Sequence, residues 1–201
     1  HQDGRQARRR RGWAKRGRVP VVFEPFDSKR YTVLAACNLD GFVAPACEVI
    51  KLAPHIGVDG ARFMQWARTH LVPSLGSFMA DEPNSVVVMD NASVHRSELP
   101  ELRRLINAAG AVLEFLSPYS PDLNPIEEAF SKVKSKCRRL RELYRANPVV
   151  CIHSALNAVT DEDMHGYFRH SGYAVINLKK ARRLRARAKR VFAVIVAAAS
   201  V

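Results

Sequence analysis

The chain has 201 residues, with 32 Lys+Arg against 19 Asp+Glu, a formal charge of +13. A hydrophobic content of 47% is enough to bury a core, which excludes wholesale disorder, and the length suits one domain with tails. Four scattered cysteines (Cys37, Cys47, Cys137, Cys151) form no CxxC pair, which argues against a disulfide scaffold or zinc ribbon and for a reducing compartment.

In chain order, residues 1–18 carry eight Arg or Lys and one Asp without apolar periodicity, and are expected to be a basic arm. No apolar run follows this basic start, so no signal peptide is expected. Val19–Phe23 and Tyr31–Leu39 predict strands. Asp40-Gly41 is a hairpin signal, and Phe42–Leu52 follows as the partner strand with Pro45 marking an edge or bulge. Asp59 suits a helix N-cap, and Phe63, Trp66, Ala67 and Leu71 keep helical spacing to about Val72. Asp81–Ser85 is a polar loop. Val86–Met89 is a continuous apolar run, the mark of a strand buried on both faces, and it stops at Asp90-Asn91. Leu99, Leu102, Leu105 and Ile106 predict a second helix closed by Gly110. Ala111–Leu116 predicts a strand, the Pro-rich Ser117–Pro125 a loop, and Pro125–Tyr144 a third helix. Val149–Val159 and Asp161–Phe168 predict two short helices, broken at Gly172. Ala174–Ala188 predicts an exposed basic helix, and Lys179–Arg190 alone holds eight Arg or Lys and no acid. The apolar end, Val191–Val201, has 11 residues interrupted by Ser200, against the ~20 a membrane span needs. The division expected is 1–18 arm, 19–173 α/β domain with a mixed, partly parallel sheet, and 174–201 basic helical tail with an apolar end.

The chemistry concentrates in two places. Asp90 ends a buried strand, and in open α/β sheets ligands gather at the carboxyl ends of strands; Asp-Asn-Ala-Ser is equally turn or N-cap chemistry. In Ser117–Glu128, Asn124 suits an N-cap and Pro125 the first helical position, so Glu127 falls where a capping box would use it. Alternatively the helix start aims Glu127 at a site beside Asp90. His95 could orient a carboxylate or contact phosphate, or lie in a surface loop. Asp122 reads as a turn residue, and Trp13 and Trp66 as packing residues. Lys132–Arg145 holds seven Lys or Arg and one Glu, either a solvated helix face or a track for a phosphate backbone.

These residues carry a resemblance. Val86–Ser97 (Val-Val-Val-Met-Asp-Asn-Ala-Ser-Val-His-Arg-Ser) and Ser117–Lys134, with its Ser-Pro-Asp-Leu-Asn-Pro-Ile-Glu string, resemble the second and third catalytic motifs of Tc/mariner-type DDE transposases. Gly12–Gly17 and Tyr167–Tyr173 resemble the eukaryotic relatives of bacterial insertion-sequence transposases. The similarity spans about residues 1–173, and the 36 residues between Asp90 and Glu127 slightly exceed the family's usual spacing. The resemblance implies a ribonuclease-H-like α/β fold in which three carboxylates hold two divalent ions, Mg²⁺ or Mn²⁺. Asp90 would bridge the ions, Glu127 would complete one of them, and Asn91, His95 and Asn124 would support them from behind. Two ions clamp the attacking and leaving oxygens of an in-line phosphoryl displacement. Arg8, Arg9, Arg10, Arg11, Lys132, Lys134, Lys136, Arg138 and Arg139 would contact DNA, both transposon ends and target. A homodimer is admitted, a membrane is not implied, and the location would be nuclear in a eukaryote and cytoplasmic otherwise.

The departure from the family's pattern lies at its first motif. That pattern places a first catalytic Asp at the end of a first strand, ahead of the basic arm. Asp3 is the acidic residue of the arm, but no strand leads into it, and Asp27 and Asp40 sit in turn contexts. The expectation is therefore a transposase catalytic domain lacking its first strand and first Asp, incomplete or inactive, with little or no strand cleavage. The rivals are a non-catalytic nucleic-acid-binding transposon remnant and a different ribonuclease-H-like nuclease such as a junction resolvase.

Overall fold

The computed structural model describes residues 16, 30–53, 57–90, 98–118, 120–173 and 193–200. The arm residues Arg8, Arg9, Arg10 and Arg11, the strand expected over Val19–Phe23, the segment holding Asn91 and His95, and the helix expected over Ala174–Ala188 lie outside them.

Strand β1 (Arg30–Asn38) is apolar on both faces because it is covered on both. Val33, Ala35 and Cys37 enter one core, while Leu34 and Ala36 enter the other. The chain turns at Leu39-Asp40 into β2 (Gly41–Phe42), with Asn38 opposite Gly41. The turn thus sits one residue earlier than the Asp-Gly pair suggested, and Gly41 takes φ +138°, which its missing Cβ permits. Pro45 lies in a single 3-10 turn, Ala44–Ala46, after which β3 (Glu48–Leu52) rejoins the same edge of β1. Proline cannot donate to a ladder, and here it interrupts one edge strand in place of a bulge.

Helix α1 (Gly60–Trp66) starts at Asp59, whose carboxylate accepts the Arg62 amide at 2.7 Å. It continues through a wider π turn, Ala67–Leu71, and a 3-10 turn, Val72–Ser74, where Pro73 ends it. Strand β4 (Val86–Met89), helix α2 (Leu99–Ala108) and strand β5 (Val112–Phe115) follow, with Gly110 at φ +83° closing α2. The expected third helix is split at Leu140 into α3 (Pro125–Arg139) and α4 (Arg141–Ala146). Helix α5 (Pro148–Leu156) is capped by Asn147, and α6 (Asp161–His170) by a Thr160–Asp163 capping box.

The apolar end, expected as part of the tail, requires a correction: Ala193–Ser200 is strand β6, at the centre of the sheet. The sheet has six strands in the order β2-β1-β6-β4-β5, with β3 also on β1. β6 runs antiparallel to β1 (Ala35 opposite Ala197) and parallel to β4 (Met89 opposite Val196). A run of valine, isoleucine and alanine has no polar face to leave in water, so it is suited to a strand flanked on both edges and covered on both faces. The sheet is mixed and flanked by helices on both sides, an α/β arrangement consistent with a ribonuclease-H-like DDE fold. Ile126, Phe130 and Val133 of α3, Ile152 of α5 and Met164 of α6 cover one face. Phe63 and Trp66 of α1 with Leu102 and Ile106 of α2 cover the other. No helix among the described residues is long and apolar enough to cross a membrane.

Candidate active site

β4 is buried between two parallel neighbours, β5 and β6, and its side chains alternate between the two cores. Val88 packs on the α3 side and Met89 on the other, so the next residue, Asp90, is directed back toward α3. Asp90 is half-buried, at the carboxyl end of the strand. The loop after β5 passes through the 3-10 turn Pro121–Leu123, which carries Asp122 exposed at the surface. It then delivers Pro125 and Ile126 into the core and begins α3.

This helix start is not a capping box. Asn124 holds the N-cap position, but its side chain makes no cap hydrogen bond, and its own amide donates to the Pro121 carbonyl at 3.1 Å. Asn124 is only 3% exposed, and its Oδ1 has no hydrogen-bond partner. The Glu127 carboxyl is therefore free of the structural task its position suggested. It is held above the ordinary carboxylate range first by desolvation and then by the nearby negative Asp90, against the opposing pull of Lys134. Glu127 as a whole remains exposed, so its carboxyl is partly walled by protein while open to solvent on one side. Two acidic side chains from different elements thus share one electrostatic neighbourhood at the strand ends.

The basic residues of α3 divide around the helix. Successive residues turn by about 100°, so Lys134 and Arg138 fall on the Glu127 flank, within about 20° of it. Lys132, Lys136 and Arg139 lie some 120–180° away. Lys132 is paired with Asp163 of α6. Burial alone would raise the Asp163 pKa, yet the Lys132 and Thr160 hydrogen bonds bring it below the usual value. Sequence reasoning did not anticipate this pair, nor that of Glu128 with His170 at 2.6 Å, because each joins helices far apart in the chain. The basic run of the sequence marked α3 as a unit without separating its faces.

The donor set suits a hard divalent ion in part. Mg²⁺ usually takes one or two carboxylates and fills its remaining positions with water and substrate phosphate. Asp90 and Glu127 offer those two carboxylates. The neighbouring strand end, Ala197–Ser200 of β6, brings no acidic side chain. Among the described residues no group of three or more His, Cys, Asp or Glu side chains is placed to hold a metal.

No curated protein and no solved structure matches the chain. A family model does: that of the DDE superfamily endonucleases matches residues 2–147, well over half of the sequence. The matched region runs from the basic arm through both carboxylates to the end of α4. With its mixed sheet and its acidic pair at the strand ends, the chain belongs to the DDE superfamily of endonucleases.

Proposed function

We propose that this chain is the catalytic domain of a Tc/mariner-type DNA transposase in which Asp90 and Glu127 hold a divalent cation, Mg²⁺ or Mn²⁺, against a DNA phosphate. The observation that carries the reading is the convergence of these two carboxylates, from β4 and α3, where their mutual repulsion is relieved by a cation. Such an ion, when bound, polarises the scissile phosphate and activates water for phosphodiester hydrolysis. Asp90 is presented by a strand that cannot move without opening the sheet. Glu127 is presented by a helix whose adjoining face is core. Lys134 supplies a positive charge on the same flank, suited to the backbone of the bound strand. Asn91, His95 and the arm residues Arg8–Arg11 belong to the same proposal as supporting and DNA-contacting groups.

The two carboxylates brought together among the described residues support one weakly held ion and not a two-ion clamp, so we expect little strand cleavage. Mn²⁺ titration followed by paramagnetic resonance should show one weak site, lost in Asp90→Ala and weakened at least tenfold in Glu127→Gln. Mn²⁺ binding indifferent to both substitutions would overturn the site. Efficient Mg²⁺-dependent nicking of plasmid DNA, abolished by Asp90→Ala, would overturn the two-carboxylate limit. The rival, a non-catalytic nucleic-acid-binding remnant, is favoured by the lack of a third acid on β6 and predicts DNA binding that is salt-sensitive but metal-independent.

A further inference from the structure

The outer face of α3 forms the floor of a depression of about 420 Å³ and contributes Lys136 to an adjoining one of about 580 Å³. The first is walled by α3 and Tyr167 of α6, and Ser135, Lys136 and Arg139 face it. The second extends it along α5 and just past its end, where Val150, His153, Ser154, Asn157 and Ala158 join Lys136. Lys136 belongs to both, so the two make one groove across three helices.

The charge of this groove is decided by which side chains are already paired. Its acidic neighbours are bonded from within: Glu128 to the His170 imidazole, whose pKa that carboxylate raises, and Asp163 to the Lys132 ammonium and the Thr160 hydroxyl. Lys132 is consumed in that pairing. Lys136 and Arg139 have no carboxylate partner among the described residues. What faces solvent is thus two uncompensated cations with hydroxyl, amide and imidazole groups between them. These are donors that phosphate oxygens accept from, set beside the apolar side chains of Val150 and Ala158.

Position completes the argument. Lys136 and Arg139 lie nine and twelve residues beyond Glu127, about 13 and 18 Å along the helix axis at 1.5 Å per residue. At 3.4 Å per base pair this is about four to five base pairs. They also lie some 120–180° around the helix from Glu127, so a strand lying on the Asp90–Glu127 flank beside Lys134 does not reach them without bending.

We propose that the α3–α5–α6 groove binds the phosphate backbone of a second stretch of duplex DNA, separate from the stretch at the carboxylates. The five basic residues of α3 then serve two tracks instead of one: Lys134 and Arg138 beside Glu127, and Lys136 and Arg139 in the groove, with Lys132 a structural cation. This rests on the DNA-acting reading above and adds to it the place of a second segment.

The test is duplex binding by the full chain across a salt series, comparing wild type with Lys136→Ala/Arg139→Ala and, independently, with Asn157→Glu at the end of α5. Each phosphate contact contributes about 0.9 to the slope of log K against log salt. The double variant should lower that slope by about 2 and weaken binding on the order of tenfold or more at low salt, with Mn²⁺ binding at Asp90 and Glu127 unchanged. Asn157→Glu should weaken binding in the same direction. A wild-type slope retained by the double variant would overturn the groove and leave the DNA-acting reading intact. A wild type with no salt-sensitive affinity for DNA would overturn both. Loss of polyglutamate binding with DNA binding retained would mark the groove as an acidic-protein surface and overturn the proposal.

Discussion

Asn124 and Glu127 stand three residues apart at the start of α3, and helix-capping chemistry alone would spend both on the helix end. The structure uses neither for that purpose, and this gives each a distinct energetic signature. Thr160 caps α6 with a full capping box, so Thr160→Ala should cost about 1 kcal/mol in urea-induced unfolding. Asn124→Ala should cost much less or nothing, because it deletes a buried acceptor that has no partner. Glu127 adds a pH dependence. Its folded-state pKa lies above its unfolded value, so the protonated form is favoured by folding and stability falls as pH rises through the folded pKa. Glu127→Gln should therefore melt above wild type at neutral pH, and the two curves should converge as the pH drops below the ordinary glutamate pKa. A constant offset between them at every pH would show that the Glu127 charge is not what matters. The cysteines shift in the same sense, toward the neutral form. Burial pushes the Cys47 and Cys137 thiols up to about 12 and raises those of Cys37 and Cys151, so all four should resist thiol reagents until the protein unfolds.

At the scale of elements, β6 has the largest consequence. It forms the only ladder between the β1–β2–β3 ribbon and the β4–β5 pair among the described residues. Its interior side chains, Ile195 and Val196, are fully buried on opposite faces. Ile195→Ala should cost about 2–5 kcal/mol, a core penalty, and Val196→Ala should be of the same kind. Loss of a mere tail would cost nothing, so equilibrium unfolding distinguishes the two roles. Helix α3 shows how one element carries several tasks by rotation. Ile126, Phe130, Val133 and Cys137 face the core, Glu127 and Lys134 the carboxylate site, and Lys136 and Arg139 the groove. Its pattern of apolar residues was visible in the sequence because the core stripe recurs every three or four residues. The division of its cations was not, because it depends on where Asp163 and Asp90 come to rest.

At the scale of the molecule, the +13 charge is a sum over unlike parts. The two basic segments, 1–18 and 179–190, carry +15 together, and the rest of the chain is close to neutral. Duplex binding should accordingly fall steeply with salt, most of the slope arising from those segments, while the α3 groove contributes the part that Lys136→Ala/Arg139→Ala removes. The sheet makes a second prediction at this scale. A chain lacking residues 193–201 leaves β1 and β4 without a common neighbour, so its thermal unfolding should lose the single cooperative transition of the full chain, as followed by circular dichroism. Retention of that transition with unchanged midpoint would show that the sheet does not need β6.

Local signals account for much of what was legible. β1, β4, β5, α2, α3, the cap at Asp59 and the close at Gly110 all follow from side-chain periodicity or cap chemistry, which act within a few residues. The two acidic motifs were legible as well, because a carboxylate after a buried strand and a glutamate at a Pro-initiated helix start are local patterns. That Asp90 and Glu127 come together, that Asn124 leaves its cap unmade, that Lys132 is paired away from any ligand, and that the last apolar run lies mid-sheet were decided by tertiary structure alone. Each depends on groups distant in the chain, and the run Ala193–Ser200 illustrates why. Its composition says only that it must be buried, while hydrogen bonds to β1 and β4, more than a hundred residues away, decide that it is a strand and where it lies.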